Sequence, residues 1–311
     1  MQPMSDFNPY TYRDSGDFKV EPVNSSGAFK KFEVSFSSAC PTDYPQLDTV
    51  TGEYCLPNTD DKPPLVLLVH GVGDTSTVPC RLLAGALTKS GIASLTLTMP
   101  IHSRRLPAEM KRDFYSLSAQ DWYNLYRISV VNIRQALDWA ESRSELDSRH
   151  MGVAGISFGG YVSAIALGLD QRLRAGALLF TGGNLEKLAR TRSSRKYARY
   201  AVSDELYRKN QSRYMAYVAE VAARGFENVS PPQLGYLFDP YTFTPELKTK
   251  PVLMMNALWD EYFPKEAVND FWQASGKPRQ VWLPAGHATA WVFYPVIRRQ
   301  VVDMFRKTLL R

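Results

Sequence analysis

The chain has 311 residues, 44% of them hydrophobic and 22% charged, with a net charge of +6. That balance fits a soluble globular chain long enough for one large domain with an insertion, or for two ordinary domains. Its Lys and Arg form no dense tract and accompany no nucleic-acid motif, so the charge reads as a solvated basic surface and no nucleic-acid partner is expected.

Residues 1–27 are polar, with scattered Gly, Ser, Asn and Pro, and read as an N-terminal arm. They contain no basic region followed by an apolar stretch, so no secretory signal is expected and a cytoplasmic location is the default. Residues 29–37 (FKKFEVSFS) alternate apolar and polar side chains, the period of a half-buried strand, and a second short strand is expected at 49–56. The pattern changes at 65–69 (LVLLV), a continuous apolar run suited to a strand covered on both faces. Similar runs follow at 92–97, 152–156, 177–180, 252–255 and 281–283. Helix-like stretches lie between them at 81–89, 119–142, 161–169 and 265–274, with a last helix at 292–309. Strands alternating with amphipathic helices predict an α/β fold with a mostly parallel sheet flanked by helices.

The alternation breaks once, at 183–249, where RTRSSRKYARY and ELYRKNQSRYMAYVAEVAARG precede a Pro-containing loop. This segment reads as a helical cap inserted between two parts of one core, 28–182 and 250–311. Residues 151–169 carry no charge and are long enough to cross a bilayer. Their Gly-rich middle instead reads as strand, turn and buried helix, so no membrane span is expected.

Three cysteines, Cys40, Cys55 and Cys80, show neither CxxC spacing nor His at ligand spacing, so no metal is expected. Whether Cys40 and Cys55 pair stays open, because sequence gives no distance in space.

Gly155-Ile156-Ser157-Phe158-Gly159 matches G-x-S-x-G between an apolar strand and a helix-compatible run. Such a turn lifts a Ser hydroxyl above the sheet and aims a helix N-terminus at the same spot, where its N–H groups favour negative charge. Side chains at Gly155 and Gly159 would collide across it. His70-Gly71-Val72-Gly73 follows directly on LVLLV, and its glycines let the backbone approach a substrate. The amides of Val72 and Phe158 are therefore candidate oxyanion donors. His70, at the strand end, reads as a hydrogen-bonding support for that loop.

A serine needs a base to take its proton. The chain has four His: His70, His102, His150 and His287. His150 precedes a core strand and lies at its far end, and His102 sits in a loop that could line a pocket. His287, between the last strand and the last helix, is the candidate base. Asp260, in the loop after the strand at 252–255, is the candidate acid that orients it, with Glu261 as fallback.

HGVG at 70–73, GISFGGY at 155–161, LWDEYFP at 258–264 and GHATAW at 286–291 resemble the α/β-hydrolase superfamily. Elbow form and Asp-to-His spacing look like the branch of dienelactone hydrolases, acetyl esterases and prolyl oligopeptidases. That resemblance implies an eight-stranded sheet, a Ser157–Asp260–His287 triad, an acyl-enzyme mechanism on a small-molecule ester, and no cofactor. Two departures matter: the chain has no room for a propeller ahead of the core, and Ser stands where common dienelactone hydrolases carry Cys. An amidase or peptidase using the same triad, and a non-enzymatic ligand receptor, are the alternatives. Monomer and homodimer both stay open.

Substrate contacts are less specified. His102 and Arg105, in the loop TMPIHSRRLP, and Tyr161, after the elbow, are candidates, with Arg104 beside them. In the cap, Tyr197, Tyr200, Tyr207, Tyr214 and Tyr217 at helical spacing read as lid packing or as an aromatic wall.

Overall fold

The computed structural model describes residues 8–13, 16–23, 29–72, 77–107, 117–190 and 203–310. Nine strands are described: β1 (Lys19–Val23), β2 (Phe29–Ser37), β3 (Thr49–Pro57), β4 (Leu65–Val69), β5 (Ala93–Leu97), β6 (Met151–Ile156), β7 (Leu173–Leu179), β8 (Val252–Ala257) and β9 (Arg279–Leu283). They form one sheet in the order β1-β2-β3-β5-β4-β6-β7-β8-β9. The first three strands run antiparallel and the rest of the sheet is parallel.

Strand β4 explains the continuous apolar runs. Leu65, Leu67 and Val69 enter one hydrophobic core while Val66 and Leu68 enter the other, because pleating sends successive side chains to opposite faces. Helices cover both faces, so neither set can be polar. One core lies under α2 (Ala119–Glu141), α3 (Phe158–Leu169) and α4 (Asp204–Arg224), with Phe271 of α5 (Lys265–Ala274) joining it. The other lies under α1 (Val78–Thr88) and α6 (Tyr294–Leu309). Helix α2 starts at a capping box in which Ser118 and Asp121 satisfy each other's backbone donors.

The sheet has one strand more than the expected eight, and the addition is β1, from within the segment read as an arm. β1 is an almost wholly exposed edge strand containing Pro22, so it lacks the alternation that marks a half-buried strand. Residues 8–12 also differ from a loose lead-in. Tyr10 is fully buried and donates its hydroxyl to the Leu237 carbonyl at 2.8 Å, and Tyr12 donates to Asp138 at 2.6 Å. The three cysteines are buried, and Cys40 and Cys55 are not bridged. The uncharged run at 151–169 is β6 followed by α3, and among the described residues no helix is long and apolar enough to cross a membrane.

Register brings the strand ends together. Val69 lies opposite Gly155, Ile156 opposite Leu179, Leu179 opposite Met255, and Ala257 opposite Leu283. The loops after β4, β6, β8 and β9 therefore leave the same edge. β4 sits between β5 and β6, so the winding reverses there and opens a crevice at the carboxyl ends of the strands.

Candidate active site

The turn from β6 to α3 is strained by design of its sequence. Ser157 has φ 55° and ψ −118°, outside the ordinary range of L-residues, and is held there by its N–H on the Leu179 carbonyl at 2.8 Å. A Cβ on Gly155 would lie 2.1 Å from the Gly159 carbonyl oxygen, and one on Gly159 would lie 2.1 Å from the Val69 carbonyl oxygen. Both glycines are thus required by close backbone approach. The start of α3 can press against the end of β4, which sets the Phe158 amide at a helix N-terminus beside the His70–Val72 loop.

The structure brings Ser157, His287 and Asp260 into one hydrogen-bonded line. His287 Nε2 is 2.9 Å from Ser157 Oγ, and its Nδ1 is 2.7 Å from Asp260 Oδ2. Asp260 is an acceptor when ionised, so Nδ1 carries the hydrogen and Nε2 is left to accept the serine proton. The other Asp260 oxygen accepts the N–H groups of Tyr262 and Phe263, each at 2.9 Å, which locks the carboxylate in a side chain only 3% exposed. Glu261 accepts the backbone N–H of His287 at 3.2 Å, so the fallback acid holds the histidine loop and not the imidazole. Rings of Tyr262, Phe263 and Phe180 surround His287 at 5.0, 5.9 and 6.3 Å.

His70 is a loop support. It accepts the Met99 N–H at Nε2 (3.0 Å), which makes Nδ1 the donor to the Gly71 carbonyl (2.9 Å). Burial, with His102 and Arg105 nearby, pulls its pKa down to about 3, so the ring stays neutral. Val72 is half-buried in the same loop, and Gly73 lies outside the described residues. His150 bonds Asp147 at 2.7 Å just ahead of β6, at the opposite edge of the sheet from Ser157.

The side chains expected to contact substrate, His102, Arg105 and Tyr161, are buried. Arg105 is 1% exposed and donates to the Thr98 carbonyl (2.8 Å), the Leu47 carbonyl and Asn132 Oδ1 (2.9 Å). The cause is the loop after β5, which doubles back through positive φ at Ile101 and Ser103 and turns residue 105 inward. His102 is buried too, its ring 4.5 Å from that of His70 and its Nδ1 2.8 Å from the Pro100 carbonyl. Tyr161 is 4% exposed, and its hydroxyl faces the Asp239 carboxylate. Arg104 is an exposed partner of Glu33 at 2.9 Å. In the cap, Tyr214 and Tyr217 stack on Tyr236 at 4.1 and 5.8 Å, and Tyr207 lies under Arg190; these are packing contacts. Tyr197 and Tyr200 lie outside the described residues.

Two groups escaped sequence reasoning. Trp122 and Tyr126, one helical turn apart on α2, flank Phe158 at 6.4 and 5.4 Å, and Phe238 stacks on Tyr126 at 5.7 Å. Their i, i+4 spacing was the available signal. Asp239 is fully buried and accepts N–H groups of Asn184, Leu185 and Tyr241, yet burial still pushes its pKa up to about 6. Its signal was the Asp-Pro pair, which caps the turn Pro240–Phe243. A surface groove of about 580 Å³ between α1 and α6 shares no residue with this cluster. Among the described residues no group of His, Cys, Asp and Glu could hold a metal.

Residues 24–181 match the family model described as alpha/beta hydrolase domain containing 18, a stretch that includes Val72, Ser157 and Phe158 and ends before Asp260 and His287. Two uncharacterized proteins of Mycobacterium tuberculosis are 25% identical over 171 residues, 55% of this chain and 35% of theirs. An uncharacterized 31.7 kDa protein in the traX-finO intergenic region of Escherichia coli is 24% identical over 46% of this chain and 47% of its own. The chain thus spans about a third to a half of the length of these curated relatives. Among solved structures, an acetyl xylan esterase from Paenibacillus sp. R4 superposes with a TM-score of 0.63 at 18% identity, covering 97% of this chain and 99% of that one. The Pyrococcus horikoshii acylaminoacyl peptidase gives 0.61 at 14% identity, over 91% of this chain and 42% of that one. At these identities the likeness is one of fold.

Proposed function

The chain belongs to the alpha/beta hydrolase domain containing 18 family, and from that premise we propose that it is a serine hydrolase acting on carboxylic esters through an acyl-enzyme. The observation that carries this reading is the unbroken line from Ser157 Oγ through the His287 ring to Asp260, at 2.9 and 2.7 Å. Both contacts are within the reach proton transfer requires.

His287 Nε2 takes the Ser157 proton as Oγ bonds to the ester carbonyl carbon. The carbonyl oxygen becomes an oxyanion on the amides of Val72 and Phe158, each donor worth about 3 kcal/mol in such sites. Collapse breaks the ester C–O bond, and the imidazolium gives its proton to the leaving alcohol. Water then repeats the sequence on the acyl-enzyme and releases the acid. Asp260 orients the imidazole through Nδ1 and is itself oriented by the two N–H groups it accepts. Partly exposed Trp122, Tyr126 and Phe263 supply an apolar wall beside Phe158 and His287, continued by Phe238, which stacks on Tyr126.

A fluorophosphonate probe and a p-nitrophenyl ester test the proposal together. Wild type is expected to label on Ser157 and to show a burst of nitrophenol, and Ser157→Ala to lose both with an unchanged circular dichroism spectrum. Turnover retained in Ser157→Ala would reject it.

A further inference from the structure

We propose that Arg105 and His70 are positioning residues that aim the Val72 amide at the developing oxyanion, an inference that rests on the hydrolase reading above. A continuous run of hydrogen bonds carries it. The Arg105 guanidinium holds the Thr98 carbonyl at 2.8 Å, and with it the base of the loop after β5. Next in that loop, Met99 donates its N–H to His70 Nε2 at 3.0 Å. The other ring nitrogen of His70 donates to the Gly71 carbonyl at 2.9 Å.

That last contact controls the amide of interest. The Gly71 carbonyl and the Val72 N–H belong to one peptide unit, which is trans, so the two groups point in opposite directions. Holding the carbonyl towards His70 therefore turns the Val72 N–H the other way. The tautomer is fixed by the same network. An imidazole that accepts from Met99 at Nε2 must carry its hydrogen on Nδ1 and can only donate to Gly71.

The cost of the arrangement argues that it is specified. Arg105 is 1% exposed, and its hydrogen bonds go to two main-chain carbonyls and an amide oxygen, all neutral. Its Nε has no hydrogen-bond partner among the described residues. Ile101 and Ser103, at φ 57° and 48°, bend the loop so that the guanidinium reaches inward. A buried cation and two strained residues in one short loop are destabilising, and such strain clusters where geometry is functional. Asn132 extends the support, receiving Arg105 at 2.9 Å and donating to Ser38 at 2.9 Å.

The test compares Arg105→Met, Arg105→Lys, His70→Val and His70→Asn with wild type. Measurements are kcat and KM on an activated ester, the Ki of a trifluoromethyl ketone that forms a tetrahedral oxyanion on serine, and fluorophosphonate labelling stoichiometry. Loss of an oxyanion donor costs on the order of a hundredfold or more in kcat. Arg105→Met and His70→Val are expected to lower kcat about tenfold to a hundredfold with KM within about twofold, and to weaken the ketone by the same factor. Lysine and asparagine keep one donor each and should restore most of the loss. A kcat equal to wild type, a loss confined to KM, or a fall in activity matched by a fall in labelled fraction would overturn the relay. Should Arg105→Met fail to fold, the His70 pair decides alone. An unlabelled, inactive wild type would remove the hydrolase reading and the relay with it, whereas an active wild type with unaffected variants removes the relay only.

Discussion

Ser157 is one of several residues held at positive φ where strands end. Ile101 and Ser103 follow β5, Phe180 and Asn184 follow β7, and only Lys277 lies elsewhere among the described non-glycine cases. Each such conformation costs about 1–3 kcal/mol, so strain is concentrated on the edge that carries the site. At the elbow the strain is made tolerable by absent side chains. Gly159→Ala would drive a Cβ to 2.1 Å from the Val69 carbonyl oxygen, and neither backbone can yield cheaply. We expect it to destabilise the fold by about 3 kcal/mol or more, read as a lowered urea midpoint with an unchanged slope. Gly85, whose Cβ would meet nothing, is the control: Gly85→Ala within α1 should be neutral or stabilising by about 1 kcal/mol. The same scale shows what sequence carries. Ser157, Asp260 and His287 were legible because each ends a strand run in the right order. Arg105 was not, since its direction follows from the φ angles of Ile101 and Ser103, which no local pattern announces.

The elements divide in the same way. β4, β6 and β8 were readable as apolar runs because burial on both faces leaves no other composition, and α2, read at 119–142, forms over Ala119–Glu141. β1 is exposed and joined only by β2, so nothing in its sequence records the pairing. The segment at 8–12 is the sharper case. It carries few apolar residues, yet Tyr10 is fully buried, edge-on to Phe243 at 6.3 Å and bonded to Leu237, while Arg127 and Arg134 hold the carbonyls of Pro9 and Tyr10. The segment ties α2 to the region following α4. Tyr10→Ala should therefore cost about 3–5 kcal/mol, as for other large buried rings. Tyr10→Phe keeps the ring and leaves the Leu237 carbonyl without that donor, for a loss of about 1 kcal/mol. Urea unfolding of the two variants separates packing from hydrogen bonding. Equal losses would mean that the ring contributes nothing beyond its hydroxyl.

At the scale of the whole molecule, two buried groups on opposite sides of Ser157 couple the fold to pH in opposite senses. His70, behind the Val72 loop and faced by His102 and Arg105, has its pKa lowered to about 3. The unfolded chain takes up that proton near the ordinary histidine value of about 6.5, so between these values unfolding binds a proton and stability rises with pH. The His70 contribution is complete above about 6.5 and is lost as pH falls towards 3. Asp239, faced by the hydroxyls of Tyr161 and Tyr214, has its pKa raised to about 6 from 3.8. Here the folded state holds the proton longer, so its contribution is complete below about 3.8 and is lost as pH rises through 6. The two slopes share one window and partly cancel in the wild type. His70→Asn removes the first, so its deficit relative to wild type should be larger at pH 7 than at pH 4.5. Asp239→Asn removes the second, so its deficit should be larger at pH 4.5 than at pH 7. Urea unfolding of the three proteins at both pH values checks the signs. Parallel deficits at the two pH values would show that neither group changes its proton affinity on folding, and that the burial on either side of the elbow is not what sets their charge.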